Sequence, residues 1–228
     1  MLDENIEGFL YMFYMLKNNL LWTQGMPIVI VLVALAAFSL LFFKPLFYVV
    51  LAFFLFSVYF FRNPDRICKE ALDDVSVLIC PADGKVVDIV YDKDNNLEGY
   101  SQRVSIFLSA FDVHVNWAPI SGAVKEVKYK KGAFKVAFLP KSSELNERND
   151  LLILGQNGKT IKVRQIAGLV ARRICCWVKK GDMLKAGDKF GMIRFGSRVD
   201  IFLPKEVAVQ VSIGQRVYGG QTVLGKWR

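Results

Sequence analysis

Ser197 is the residue from which chemistry can be read most directly. It follows Gly196 inside Gly191-Met-Ile-Arg-Phe-Gly-Ser-Arg-Val-Asp-Ile-Phe-Leu-Pro204, where Val199, Ile201 and Leu203 alternate with Asp200 and Phe202 as they would in a strand. Glycine weakens strand interiors and marks close backbone approach, so a Gly-Ser peptide here is a poor choice for stability alone. It is a good choice if the Ser197 hydroxyl must attack its own preceding carbonyl, because a residue without Cβ can present that carbonyl in a strained geometry at low cost. Serine is a weak nucleophile at neutral pH and needs a positioned base. The sole histidine of the chain is His114, in Phe111-Asp-Val-His114, and imidazole suits both removal and return of a proton. Asp83, in Ala82-Asp-Gly-Lys85, is either a carboxylate for such a pair or simply the turn residue that Asp-Gly dipeptides favour.

The elements that would position these side chains are short and apolar-polar alternating. Strand character is present at Val86–Val90, Val104–Leu108, Val124–Tyr129, Phe134–Phe138, Leu151–Leu154, Thr160–Ile166, Val199–Leu203 and Val207–Val211. Turn signals separate them, and Asn157-Gly158 between two apolar runs is a strong hairpin signal. Many short strands without a sustained 3.6-residue period predict an all-β domain of many short antiparallel strands. Ile120-Ser-Gly-Ala-Val124 and Val178-Lys-Lys-Gly-Asp182 give its second half a likeness to the barrel-sandwich of biotinyl and lipoyl carrier domains.

The N-terminal quarter is different. Between Asn18 and Phe61 the only charge is Lys44. Leu20 to Phe43 is long enough to cross a ~30 Å hydrocarbon core as a helix, whereas Pro45 to Phe61, at 17 residues, is at the short limit. Residues 1–61 are therefore expected to be a helical membrane anchor, either a hairpin with its tip at Lys44-Pro45 or one span followed by an interfacial helix. Asp3, Glu4 and Glu7 argue against a cleaved signal peptide. Arg62, Arg66 and Lys69 favour a cytoplasmic face of the cell membrane for residues 62–228.

Charge and cysteine usage narrow the partners. The chain has 30 basic and 21 acidic residues, of which two and three precede Arg62, leaving 28 and 18 and a net charge of +10 beyond the anchor. A basic domain tethered to a bilayer is drawn to anionic headgroups. No nucleic-acid motif occurs and the Lys and Arg residues are scattered, so nucleic acid is not an expected partner. Cys68, Cys80, Cys175 and Cys176 form no Cys-x-x-Cys pair, and one histidine cannot complete a Cys/His zinc set, so reduced thiols and no metal are expected. There is no Rossmann, P-loop or HExxH pattern.

Five motifs occur in order: Phe60-Phe-Arg-Asn-Pro-Asp-Arg66, Pro81-Ala-Asp-Gly-Lys85, Phe111-Asp-Val-His-Val-Asn-Trp-Ala-Pro119, Asn146-Glu-Arg-Asn149 and the Gly196-Ser197 segment. Together they resemble the phosphatidylserine decarboxylase family, its short-form branch in particular, from about Phe60 to the C-terminus. The resemblance implies a pyruvoyl-dependent decarboxylase that makes its own cofactor. Cleavage between Gly196 and Ser197 would give fragments 1–196 and 197–228, which stay together as a heterodimer, with higher homo-oligomers left open. The pyruvoyl group from Ser197 would form a Schiff base with phosphatidylserine and release phosphatidylethanolamine. His114 would serve as acid and base, and Asp83 would orient the imidazole. Phe111 and Trp117 are candidates to line the pocket, and Arg148 or Arg198 to meet phosphate or carboxylate. In one longer-form branch a second histidine stands where this chain has Trp117, and Leu-Gly-Ser-Thr replaces Phe195-Gly-Ser-Arg198, so His114 would have to serve both self-cleavage and turnover. The competing reading is a membrane-anchored carrier or adaptor domain without catalysis. It lacks its expected signals, since there is no Met-Lys-Met-like triplet and no long coiled coil.

Overall fold

A computed structural model of the 228-residue chain describes residues 24–92, 97–132, 146–168, 173–194 and 197–228, in two compact units divided after Pro64. In the first unit, α1 (Met26–Phe42) and α2 (Lys44–Phe60) pack against each other as a hairpin. Each begins with proline in its first turn, where the missing N–H costs nothing, and Phe43 is the one non-helical residue between them. Ser39 and Ser57 turn their hydroxyls onto the backbone, bonding Ala36 O at 3.0 Å and Phe53 O at 2.8 Å. Ile30, Phe38, Leu41, Phe42, Tyr48, Phe53 and Leu55 are all more than half exposed.

The expected span over Leu20 to Phe43 falls only in part within the described residues. Its described part is a π-turn at Gln24-Gly25 that runs into the α-helix from Met26, and residues 20–23 lie outside the described residues. Seventeen residues at ~1.5 Å each give a rod of about 26 Å, short of a ~30 Å hydrocarbon core. Among the described residues no helix is long and apolar enough to cross a membrane.

The described elements of the second unit are strands apart from one short helix, α3 (Lys69–Asp73). Its main sheet has eight antiparallel strands in the order β13 (Arg216–Val217), β2 (Gly84–Tyr91), β3 (Gln102–Leu108), β11 (Ser197–Leu203), β7 (Thr160–Ala167), β6 (Arg148–Gly155), β5 (Gly122–Lys130) and β9 (Met183–Leu184). A three-stranded sheet runs β4 (Val115–Trp117), β10 (Lys189–Ile193), β8 (Ile174–Cys176), and another runs β1 (Val77–Ile79), β14 (Val223–Trp227), β12 (Val207–Val209). The Asn157-Gly158 turn joins β6 to β7, with Gly158 at φ +75°. The last expected strand stops at Val209, and Phe134–Phe138 lies outside the described residues.

Strand β11 is the spine of the main sheet. Its alternation sends Val199, Ile201 and Leu203 into the core beside Val104, Ile106, Val163 and Ile161. The opposite face carries Arg198 and Asp200, both buried and paired to each other, with Arg198 Nη2 also donating to Ser105 Oγ at 2.9 Å. On the neighbouring strands Arg164 bonds Asp150 and Glu98, and Lys162 bonds Glu98. Buried charges persist only when paired in this way.

Trp117, at the end of β4, is buried against Gly219 and Gly220. A Cβ added at Gly219 would sit 2.4 Å from Trp117 Cε3, 2.6 Å from Cζ3 and 2.9 Å from the Ala82 Cα. Neither the enclosed indole nor the backbone can yield, so Gly219→Ala should cost about 2 kcal/mol by overpacking. That corresponds to a midpoint lowered by roughly 4–8 °C for a domain of this size. Thermal unfolding in detergent checks it, and an unchanged midpoint would mean that the Trp117 contact is not as tight as described.

Candidate active site

Three chain crossings between sheets create the site. Strand β3 ends at Leu108 and β4 begins at Val115; β7 ends at Ala167 and β8 begins at Ile174; β10 ends at Ile193 and β11 begins at Ser197. In the main sheet Ser197 stands opposite Leu108 on one side and Ala167 on the other. In the small sheet Met192 stands opposite Val115, and Ile193 opposite Ile174. Ser197 thus sits where all three segments pass from one sheet to the other.

At that crossing Ser197 is 0% exposed, and its Oγ has no hydrogen-bond partner among the described residues. A buried hydroxyl without a partner typically costs about 1–3 kcal/mol, and such groups call for an explanation. A reacting nucleophile supplies one. The other sequence-designated partner in the cleavage, Gly196, lies outside the described residues.

His114 is buried in the turn that leads into β4. Its Nδ1 lies 2.9 Å from the Asp112 carbonyl oxygen, which can only accept, so Nδ1 carries the proton and the basic lone pair of the neutral ring is on Nε2. Its own carbonyl accepts from Ile193 N at 3.1 Å, tying the imidazole to the strand that runs on to Ser197. The turn is stapled by Asp112, whose Oδ2 accepts from Ser109 N at 2.8 Å and Ser109 Oγ at 2.7 Å. Asp112 Oδ1 is held by Arg216, on the other side of the Gly196-Ser197 bond in sequence. The Asp112 charge raises the pKa of Arg216 further above its usual value.

Asp83 is placed differently from the expectation. Its carboxylate is gripped by both terminal nitrogens of Arg66, one at 2.9 Å, and accepts from Gly219 N at 2.9 Å. The imidazole proton goes to the Asp112 carbonyl instead. Arg66 also bonds Gly219 O at 2.9 Å and lies 5.0 Å from the Trp117 ring, so Asp83 secures the far end of the strand that His114 enters. Burial pushes the nearby Cys80 thiol well above its usual pKa, with the Asp83 charge adding to the effect.

The expected pocket residues do not converge. Phe111 is 66% exposed, while Trp117 is enclosed. Arg198 is committed to Asp200 and Ser105, and alternation along β11 turns it away from the face of Ser197. Arg148 and Arg198 both stand opposite Ile166, one on either side. A separate cavity of about 160 Å³, lined by residues such as Val75, Ile120, Asn157 and Trp227, contains no titratable side chain. No group of three or more His, Cys, Asp or Glu among the described residues could hold a metal ion.

Sequence reasoning missed a polar chain on the core face. Asn149 Nδ2 donates to Gln165 Oε1 at 2.9 Å, and Gln165 Nε2 donates to Asn116 Oδ1 at 2.8 Å. Asn146 Nδ2 bonds the carbonyl of Ala167, the residue opposite Ser197, at 2.7 Å. Asn116, Asn146 and Asn149 lie within the quoted motifs, but which polar side chains meet depends on strand register that the sequence does not display.

Comparison with known proteins decides the family. The sequence profile described as phosphatidylserine decarboxylase matches residues 53–225. The chain belongs to the phosphatidylserine decarboxylase family. Among curated relatives named phosphatidylserine decarboxylase proenzyme, that of Carboxydothermus hydrogenoformans is 50% identical over 175 residues, 76% of this chain and 80% of the relative. That of Syntrophus aciditrophicus is 48% identical over 174 residues, 75% and 79% of the two chains. That of Desulfotalea psychrophila is 45% identical over 172 residues, with the same coverage.

Asp112→Ala removes the staple on the His114 turn and leaves Arg216 unpaired from it. At least a tenfold loss of decarboxylase activity toward phosphatidylserine micelles is expected, with Asp112→Asn, which can still accept from Ser109, falling in between. Full activity in the alanine variant would show that the turn needs no such staple.

Proposed function

We propose that this chain decarboxylates phosphatidylserine to phosphatidylethanolamine, with a pyruvoyl group made from its own Ser197. Membership of a decarboxylase family supports an enzyme, a carboxy-lyase, over a carrier or adaptor. The observation that carries the residue-level reading is the buried, unpartnered Ser197 hydroxyl at a strand crossing, with the His114 turn tied to the approaching strand.

In self-cleavage, Ser197 Oγ bonds to the carbonyl carbon of residue 196 and gives its proton to His114. The C–N bond of the peptide then breaks, and the nitrogen takes up that proton, leaving an ester. Removal of the Ser197 α-proton breaks the Cβ–Oγ bond, releases residue 196 as a carboxylate and leaves dehydroalanine. Tautomerisation and hydrolysis release ammonia and complete the pyruvoyl group.

Position 197 suits such a group, because it is enclosed between Leu108 and Ala167 and among the described residues no polar group bonds its side chain. When present, the pyruvoyl ketone supplies the electron sink that decarboxylation next to an amine requires. His114 then holds and returns the proton needed at the substrate carbon. Asp83 acts at one remove, through Arg66 and Trp117, by fixing the strand that His114 enters. Phe111 is exposed on the same turn, whereas Arg198 is engaged with Asp200 and Ser105.

Fragments 1–196 and 197–228 would remain associated without a covalent link. Strand β11 is bonded on both edges, β13 pairs with β2, β14 with β1, and Arg216 grips Asp112.

The helical hairpin supports attachment to the bilayer. Helices apolar on all sides suit the interior of a large protein or lipid, and the second unit has its own separate core. We place residues 1–61 as the anchor, 62–228 as the catalytic domain on the cytoplasmic side, and anionic headgroups as the attraction for its net positive charge.

Ser197→Ala should remain one chain by intact mass, whereas the unmutated chain should give two fragments, the smaller without a free N-terminal amine. A split alanine variant would assign the cut to a protease. Alkaline carbonate washing should leave the full chain in the membrane pellet, and deletion of residues 18–61 should release it. Release of the full chain by the wash would overturn the anchor.

A further inference from the structure

A second buried polar atom, on β4, has no partner among the described residues. Asn116 is fully buried on β4, and its Nδ2 has no hydrogen-bond partner among the described residues. A buried donor left without an acceptor is costly, and in a reacting site it points to an acceptor that appears only during reaction.

The orientation of this amide is fixed by its neighbours. Gln165 Nε2 faces the Cys175 carbonyl at 3.5 Å, an oxygen that can only accept, so this end of Gln165 must be its nitrogen. Asn149 donates to the opposite end of the same amide, which agrees. Gln165 therefore donates to Asn116 Oδ1, and Asn116 must turn its NH₂ away from Gln165. Close approach is permitted by Gly191, where a Cβ would stand 2.9 Å from Gln165 Nε2 and 2.4 Å from the Cys175 carbonyl oxygen.

Register brings this donor to the reactive corner. Gln165 stands opposite Val199, and Ala167 opposite Ser197, so Gln165 is the diagonal neighbour of Ser197 on the same face of the main sheet. His114, in the turn that leads into β4, and Asn116, within β4, are two residues apart and both fully buried. Asn116 reaches Gln165, and His114 lies one step closer to the crossing at which Ser197 stands.

We propose that Asn116 Nδ2 donates a hydrogen bond to the oxyanion formed when Ser197 Oγ adds to the carbonyl carbon of residue 196. As the Oγ–C bond forms and the hydroxyl proton leaves for His114, the carbonyl π electrons move onto oxygen. That oxygen is the acceptor that Asn116 Nδ2 lacks among the described residues. When the carbonyl re-forms, the C–N bond breaks and the nitrogen takes the proton. Gln165, and Asn149 behind it, are positioning residues for this donor. The inference rests on the self-cleavage reading above.

The test follows precursor cleavage by intact mass, which does not depend on activity of the mature enzyme. Asn116→Asp keeps the shape and the acceptor for Gln165 but replaces the donor by an oxygen. Removing one such donor from acyl-transfer sites slows them roughly 10²–10³-fold, and a slowing of that order is expected here with a thermal midpoint close to that of the unmutated chain. Gln165→Glu offers Asn116 an acceptor and should draw its NH₂ away from the site, slowing cleavage although Asn116 is intact. Asn116→Ala serves as a second donor-free variant if the aspartate variant does not fold. Cleavage at the unmutated rate in either folded Asn116 variant would overturn the proposal while leaving self-cleavage standing. Continued cleavage in Ser197→Ala would instead overturn the reading beneath it.

Discussion

The fold depends on strand β11 being held on both edges from its first residue. Backbone pairing to β3 and β7 fixes Ser197 between Leu108 and Ala167 before any side chain is considered. The register sets which residues can lie beside the Ser197 hydroxyl. Among the described residues it has no hydrogen-bond partner. The same pairing explains how a chain could be cut immediately before its central strand and stay folded, since every ladder bond of β11 lies beyond the cut.

Around this fixed point the polar side chains are organised by crossings between sheets. His114 receives its orientation from a main-chain carbonyl of its own turn, and that turn is stapled by one carboxylate. The stapling carboxylate also reaches Arg216, so a residue of the last segment helps to hold the imidazole borne by the first. Arg66 and Asp83 do comparable work at the other end of β4, against Trp117. Charge on the far face of β11 is neutralised locally by the Arg198–Asp200 pair and its neighbours, which keeps those guanidinium groups from serving substrate.

The strands that carry the site were legible because they are long enough to show alternation. The runs at Val104–Leu108, Thr160–Ile166 and Val199–Leu203 lie within β3, β7 and β11 to the residue or nearly so. Strands of two or three residues, such as β4, β8, β9 and β13, are too short to show a period, and their pairing was invisible. Ser197 and His114 stood out by type and scarcity. Asp112 and Asn116 did not, because their meaning lies in partners 104 and 49 positions away in sequence. For Asp83 the turn was readable but the partner was not. Of the expected helix over Leu20 to Phe43, the described part is helical from Gln24 to Phe42, and the residues before it lie outside the described ones.

The central claim is that Ser197 supplies the oxygen that replaces the peptide nitrogen at residue 196. Chain produced with serine carrying ¹⁸O in its hydroxyl tests this directly. After cleavage in ordinary water, the peptide ending at residue 196 should carry the heavy oxygen in its terminal carboxylate, read as the corresponding mass increase over unlabelled chain after correction for internal serines. Terminal carboxylate oxygen derived from solvent alone, with the label retained on position 197, would mean that water cut the bond and that the hydroxyl took no part.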